Sequence, residues 1–196
     1  MKTGDSPFGA TPIDPNEVEG LIPSVATQEE LDEFEESNIA LASAWAFSSR
    51  KLARDLLTIE GLKLLHQRMF EDTWRWAGKF RTTQKSIGIE AFRITTELAN
   101  LCADVQTWRT HSTYSPDEIA VRFHHRLVSI HPFPNGNGRH ARLAADLLIR
   151  QLGGKRFSWG SSSGLTAADD SRAAYIAALQ AADHRDLAPL IAFARG

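Results

Sequence analysis

At 196 residues with a single cysteine, the chain has the length for one domain with a sizeable core, but it excludes an internal disulfide and a cysteine-built zinc centre. A net charge of −2 argues against sequence-independent attraction to nucleic acid, and no apolar run is long enough to cross a bilayer. Hydrophobic residues at 42% and charged residues at 23% fit a soluble globular protein, and one cysteine without a secretory h-region leads to the expectation of a cytoplasmic location.

Residues 1–26 are rich in Pro, Gly, Asp and Thr and read as an extended arm, tied down at Phe8, Leu21 and Ile22. Residues 27–196 read as one domain. Thr27 and Glu30 form a capping box that starts a helix. Its apolar positions Leu31, Phe34, Ile39, Leu41, Trp45 and Phe47 read as the buried side, with Glu35, Glu36 and Asn38 on or near the opposite one. Ser48-Ser49-Arg50 ends or kinks it. Thr58–Asp72 reads as a second helix, apolar at Leu62, Leu65, Met69 and Phe70. Residues 81–92 lack helical periodicity, and Gly88 offers a turn, so a short hairpin is expected there. A helix starts at Thr95 or Thr96 and passes Leu101, Val105 and Trp108. Ser115-Pro116-x-Glu118 opens the next, with the stripe Ile119, Phe123, Leu127 and Ile130. Leu143, Leu147 and Leu148 bury the following helix, and Gly153-Gly154 stop it. A loop at 160–164, a helix from 166–170 onward, and a last helix capped by Asp186 complete a mainly α bundle with one small β-hairpin.

The chemistry concentrates at His131–Arg142, HPFPNGNGRHAR. Glycines let backbone N–H groups converge on an anion, and a helix N-terminus adds unpaired donors for phosphate oxygens. Arg139 and Arg142 are three apart, so both can project from one helix face as a cationic clamp. His131, just before the turn, is placed to accept a proton. His124 and His125 read as packing or orienting residues near it, His140 as solvated, and His66, His111 and His184 carry no signal. Trp74, Trp76 and Trp108 read as core rather than as a base-stacking platform.

These residues resemble the Fic-domain signature His-x-Phe-x-Asp/Glu-Gly-Asn-Gly-Arg-x-x-Arg, with Asn135 in place of the acidic residue. The TPID-PNE opening and the wording of the motif further resemble the mobile mystery protein B subfamily. The resemblance covers roughly residues 30–195 and implies a Fic-fold bundle that moves AMP from ATP, with Mg²⁺, to a Ser, Thr or Tyr hydroxyl of a protein. It implies that His131 is the base, that Gly136, Asn137 and Gly138 cradle the phosphates, and that Arg139 and Arg142 neutralise the outer ones. It places the metal-facing position at Asn135, which offers a carbonyl oxygen without charge. A target-binding flap would lie near Lys85, Ser86 and Ile87 and hold its target by strand addition. A restraining glutamate paired with Arg142 is the family's common device, and Glu35 or Glu36 is the candidate here. Two other readings stay open: a nucleotide- or partner-binding module without activity, suggested by Asn135, and a toxin restrained by a separate antitoxin. Self-association is also left open, and neither nucleic acid nor membrane is an expected partner.

Overall fold

A computed structural model describes residues 18–160 and 169–196. Residues 1–17 of the expected arm, the loop after Gly160 and the helix start at 166–168 lie outside the described residues. The helices are α1 Gln28–Ser48, α2 Arg50–Asp55, α3 Ile59–Phe70, α4 Ile94–His111, α5 Pro116–Ile130, α6 Asn137–Gln151, α7 Asp169–Asp183 and α8 Ala188–Arg195. A short 3₁₀ turn at Ala91–Arg93 leads into α4.

The starts are set by local chemistry. Thr27 Oγ1 accepts from the Glu30 N–H (3.2 Å) and Glu30 Oε2 accepts from the Thr27 N–H (3.3 Å), the reciprocal pair expected for α1. Ser49 caps α2, Thr58 caps α3 and Ser115 caps α5, each by its hydroxyl oxygen. Ser49 thus explains the break after α1: its side chain begins a new helix instead of extending the old one.

Helix α6 is central. Ala141, Ala144, Ala145, Leu148 and Ile149 are all buried, and α1, α3 and α5 pack around it. The turn joining α5 to α6 therefore sits on the most closely packed pair of helices. Helix α1 presents a different face from the one expected. Leu31, Glu35, Asn38, Ala42 and Ala46 are buried, while Phe34 and Leu41 are exposed. Burial at i, i+4, i+7, i+11 and i+15 is a clean helical stripe, and two polar residues are on it. Alanines at its far end let α1 approach the bundle closely, which larger side chains would prevent.

The expected hairpin at 81–92 is absent. Residues 81–90 are irregular, bent at 83 and 86–89 and without strand pairing, and among the described residues the only β-bridge is the antiparallel one between Leu21 and Trp74. Carbonyls that a second strand would have used are taken by the Arg81 guanidinium instead. The bridge fastens residues 20–22 to the body: Ile22 N–H donates to Thr73 O (2.9 Å) and Arg75 N–H to Gly20 O (2.8 Å).

Candidate active site

His131 ends α5 in the left-handed region (φ 53°), its N–H donating to Leu127 O (3.2 Å). This conformation costs a residue with a Cβ about 1–2 kcal/mol and turns the chain sharply out of the helix. The imidazole is buried, which pushes its proton affinity down to about 4. The charges of Arg81 and Lys85 push the same way, and a backbone hydrogen bond with Val128 opposes them. At neutral pH the ring is therefore uncharged and able to accept a proton.

The turn that follows is locked from within. Phe133 N–H donates to Asn137 Oδ1 (2.9 Å), and Asn137 Nδ2 donates to Phe133 O (2.8 Å). The Asn137 side chain is thus spent on the loop, and of the expected cradle it supplies only its backbone N–H. Gly136 takes φ 75°, and a Cβ there would stand 2.4 Å from Phe70 Cζ, so only glycine fits. A Cβ at Gly138 would meet nothing nearer than Tyr175 Oη at 3.9 Å, leaving open space before the first turn of α6. The amides of Asn137, Gly138 and Arg139 open α6 and have no intrahelical acceptor by geometry, since the ladder begins with His140 N–H to Gly136 O. The turn is shaped for an anion.

Two histidines that carried no such signal brace it. Gly78 N–H donates to His66 Nδ1 (3.0 Å), so that nitrogen is the acceptor and Nε2 carries the hydrogen, donated to Asn135 O (3.1 Å). The ring stacks on Phe133 with centroids 3.7 Å apart. Burial holds His66 neutral, its proton affinity well below the ordinary value, and the neighbouring His140 ring, which could not be protonated alongside it without repulsion, adds to this. His140 is fully buried, not solvated: its Nε2 donates to Leu62 O (3.0 Å) and burial brings it to about 4. His66 lies between Leu62 and Phe70 at four-residue spacing, on the apolar stripe of α3. A polar residue on such a stripe needs partners, and that signal was available. His124 contacts Tyr175 Oη (3.1 Å) and Trp159, and His125 pairs with Asp183, so neither serves His131 directly.

The two motif arginines part company. Arg139 Nη1 pairs with Glu35 Oε2 (2.5 Å) over the Phe70 ring. The other Glu35 oxygen accepts from Trp74 Nε1–H (2.6 Å). Arg142 instead lies over the Tyr175 ring, 5.4 Å from its centroid. Burial pushes its guanidinium below the ordinary value, with Tyr175 acting against this. The expected pairing of a glutamate with Arg142 is therefore corrected: Glu35 meets Arg139. The reason is register. Arg139 opens α6 on the side of Phe70 and Trp74, and Arg142, one turn on, faces α7. Glu36 is exposed.

Lys85 is half-buried, and Ser86 and Ile87 are exposed. Gly88 (φ 95°) brings the segment so close that a Cβ would stand 2.6 Å from His131 Cβ. For a metal, the chain offers little by itself. No group of three or more His, Cys, Asp or Glu among the described residues could hold one. Asn135 Oδ1 accepts from the Gly136 N–H (2.5 Å), which keeps a single neutral oxygen at the turn. That donor set fits a hard cation carried mostly by phosphates and water, and not a cage of protein ligands. No helix among the described residues is long and apolar enough to cross a membrane.

The Fic/DOC family model matches residues 56–149. The protein adenylyltransferase fic-1 of Caenorhabditis briggsae is 33% identical over 120 residues, which cover 60% of this chain and 22% of that protein. The solved Fic-1 (residues 134–508) of C. elegans is 26% identical, with a TM-score of 0.65, covering 92% of this chain and 52% of that one. The ADP-bound N-terminal Fic domain of a putative cell filamentation protein from Bartonella quintana shares the fold, with a TM-score of 0.67 at 18% identity, covering 89% and 87%. This chain spans roughly a quarter of the length of the curated relatives it matches, 22% and 27% for the two nematode proteins.

Proposed function

We propose that this chain, whose residues 56–149 match the Fic/DOC family model, transfers AMP from ATP to a Ser, Thr or Tyr hydroxyl of a target protein. The observation that carries the reading is the neutral, buried His131 held beside the open first turn of α6. The imidazole takes the hydroxyl proton as the oxygen attacks the α-phosphorus. The bond from that phosphorus to the bridging oxygen of the outer phosphates breaks, and pyrophosphate leaves. Amides of Gly138 and Arg139, with the Arg142 charge, stabilise the phosphates. The segment at Lys85, Ser86 and Ile87 holds the target by main-chain bonds, which fix register without demanding a sequence. With α-labelled and γ-labelled ATP supplied separately, protein label is expected from the α position alone. Label from the γ position would mean phosphorylation. Bound ATP with no transfer would favour the binding-module reading that Asn135 suggests.

Mg²⁺ would sit on the nucleotide with the Asn135 carboxamide as this chain's donor, neutralising phosphate charge when bound. Asn135→Asp adds the carboxylate a hard cation prefers. The half-saturating Mg²⁺ concentration for labelling is expected to fall by roughly tenfold, about 1.4 kcal/mol. An unchanged value in a magnesium titration would mean that residue 135 does not touch the metal.

Glu35 is proposed as an internal restraint acting on Arg139. Its carboxylate neutralises that guanidinium and repels an incoming phosphate. Glu35→Gln keeps a partner for Trp74 Nε1–H while removing the charge. Self-labelling at sub-saturating ATP is expected to rise in this variant and to stay at the wild-type level in Glu36→Gly. Equal labelling by Glu35→Gln and wild type would leave Glu35 a packing residue and shift the restraint to a separate antitoxin.

A further inference from the structure

Beyond the effect of its charge on His131, Arg81 has no part in the chemistry above, yet it is 3% exposed and sits where the target-facing segment meets His131. Its Nε donates to His131 O (2.7 Å), and its Nη2 reaches Ile130 O (3.4 Å). Its Nη1 donates to Thr83 O (3.0 Å), and Nη2 also donates to Ile89 O. Its backbone N–H donates to Pro132 O (3.0 Å). One residue therefore holds three consecutive carbonyls of the 130–132 turn and both ends of the 83–89 segment. Those carbonyls have no helix or strand to pair with, so the fork of a guanidinium replaces a missing ladder.

We propose that Arg81 is a positioning residue that fastens the 83–89 segment to the backbone of His131, so that target chain and base are held as one piece. The inference rests on the transfer reading for its kinetic consequence, though the tie itself is independent of it. Gly88 completes the contact by letting the segment touch His131 without a side chain between them. A target laid along 83–89 then presents its hydroxyl at a distance set by this tie and not by the target's own sequence. Lysine cannot substitute. It keeps the charge but has a single ammonium, which cannot span the turn and both ends of the segment at once.

The test uses the full chain with Arg81→Lys, and Gly88→Ala as a second variant that keeps the Arg81 side chain but crowds its contact with His131, since a Cβ at 88 would stand 2.6 Å from His131 Cβ and 3.0 Å from Arg81 Nη2. Backbone order parameters are measured at 83–89, and labelling is resolved into kcat, target KM and ATP affinity. In wild type the segment is expected near the rigid value of about 0.85, falling below about 0.6 in Arg81→Lys. For both variants kcat is expected to fall by about 10²-fold, the cost of a misplacement near 1 Å, with ATP affinity unchanged. A purely structural role would lower the folded fraction and leave the kcat of the folded enzyme intact, which overturns the proposal. So would unchanged order parameters in Arg81→Lys. Wild-type protein that labels nothing would defeat the transfer reading, while the order parameters still decide whether Arg81 makes the tie.

Discussion

Replacing His131 with Ala is expected to cut protein labelling by about 10²–10⁴-fold while ATP still binds. The size of the loss follows from the lack of a substitute. His66 and His140 are buried and already committed to backbone atoms, and His124 is committed to Tyr175. None can swing into the turn without leaving a buried carbonyl, amide or hydroxyl unpaired. The pH dependence of the same reaction is a second reading of this residue. Because burial lowers His131 to about 4, the neutral base persists well below pH 6.5, and the acid limb of kcat should lie towards pH 4. A limb centred near 6.5 would mean that the imidazole is open to water during turnover. Labelling by His131→Ala at the wild-type rate would remove it as the base.

Acid should also unfold the protein early. His131 and His140 each stand at about 4 in the folded chain, against about 6.5 when unfolded. A histidine depressed by folding contributes its stability fully above pH 6.5 and loses it as pH falls towards 4. The difference, 6.5 − 4 = 2.5 units, corresponds to roughly 3 kcal/mol for each ring. His66 and His124, also lowered by burial, act in the same direction, and Asp146, raised by burial, acts against them. Against a total stability of about 5–15 kcal/mol, this is a large share. The urea midpoint should therefore fall steeply between pH 6.5 and 4.5, before ordinary carboxylates titrate. His140→Gln, which retains a donor for Leu62 O, should flatten that slope. A midpoint that holds constant to pH 4.5 would show that these rings are hydrated in solution.

The two helices that carry the site were legible in the sequence because their signals are local. Ser115-Pro116-x-Glu118 and the stripe to Ile130 place α5, and the glycines between His131 and Arg139 can serve only a turn before a helix. The face of α1 was not legible. Phe34 and Leu41 look like core, but Glu35 and Asn38 occupy it because Arg139, Trp74 and the Asp72 amide, all distant in the chain, supply their partners. The same long-range pairing hid Arg81, whose acceptors lie both beside it and some fifty positions away. It also left residues 81–90 as an irregular strap in place of the expected hairpin. Hydrophobic pattern locates helices, whereas buried polar residues are placed by partners that the pattern does not contain.

The most direct measurement is the mass of the product. Wild-type protein is incubated with ATP and Mg²⁺, and the peptides of the labelled protein are analysed by mass spectrometry. The expected result is one adenylyl group on a Ser, Thr or Tyr hydroxyl, present with wild type and lost with His131→Ala. A phosphoryl group at that hydroxyl, or no adduct at all from protein that binds ATP, would contradict AMP transfer.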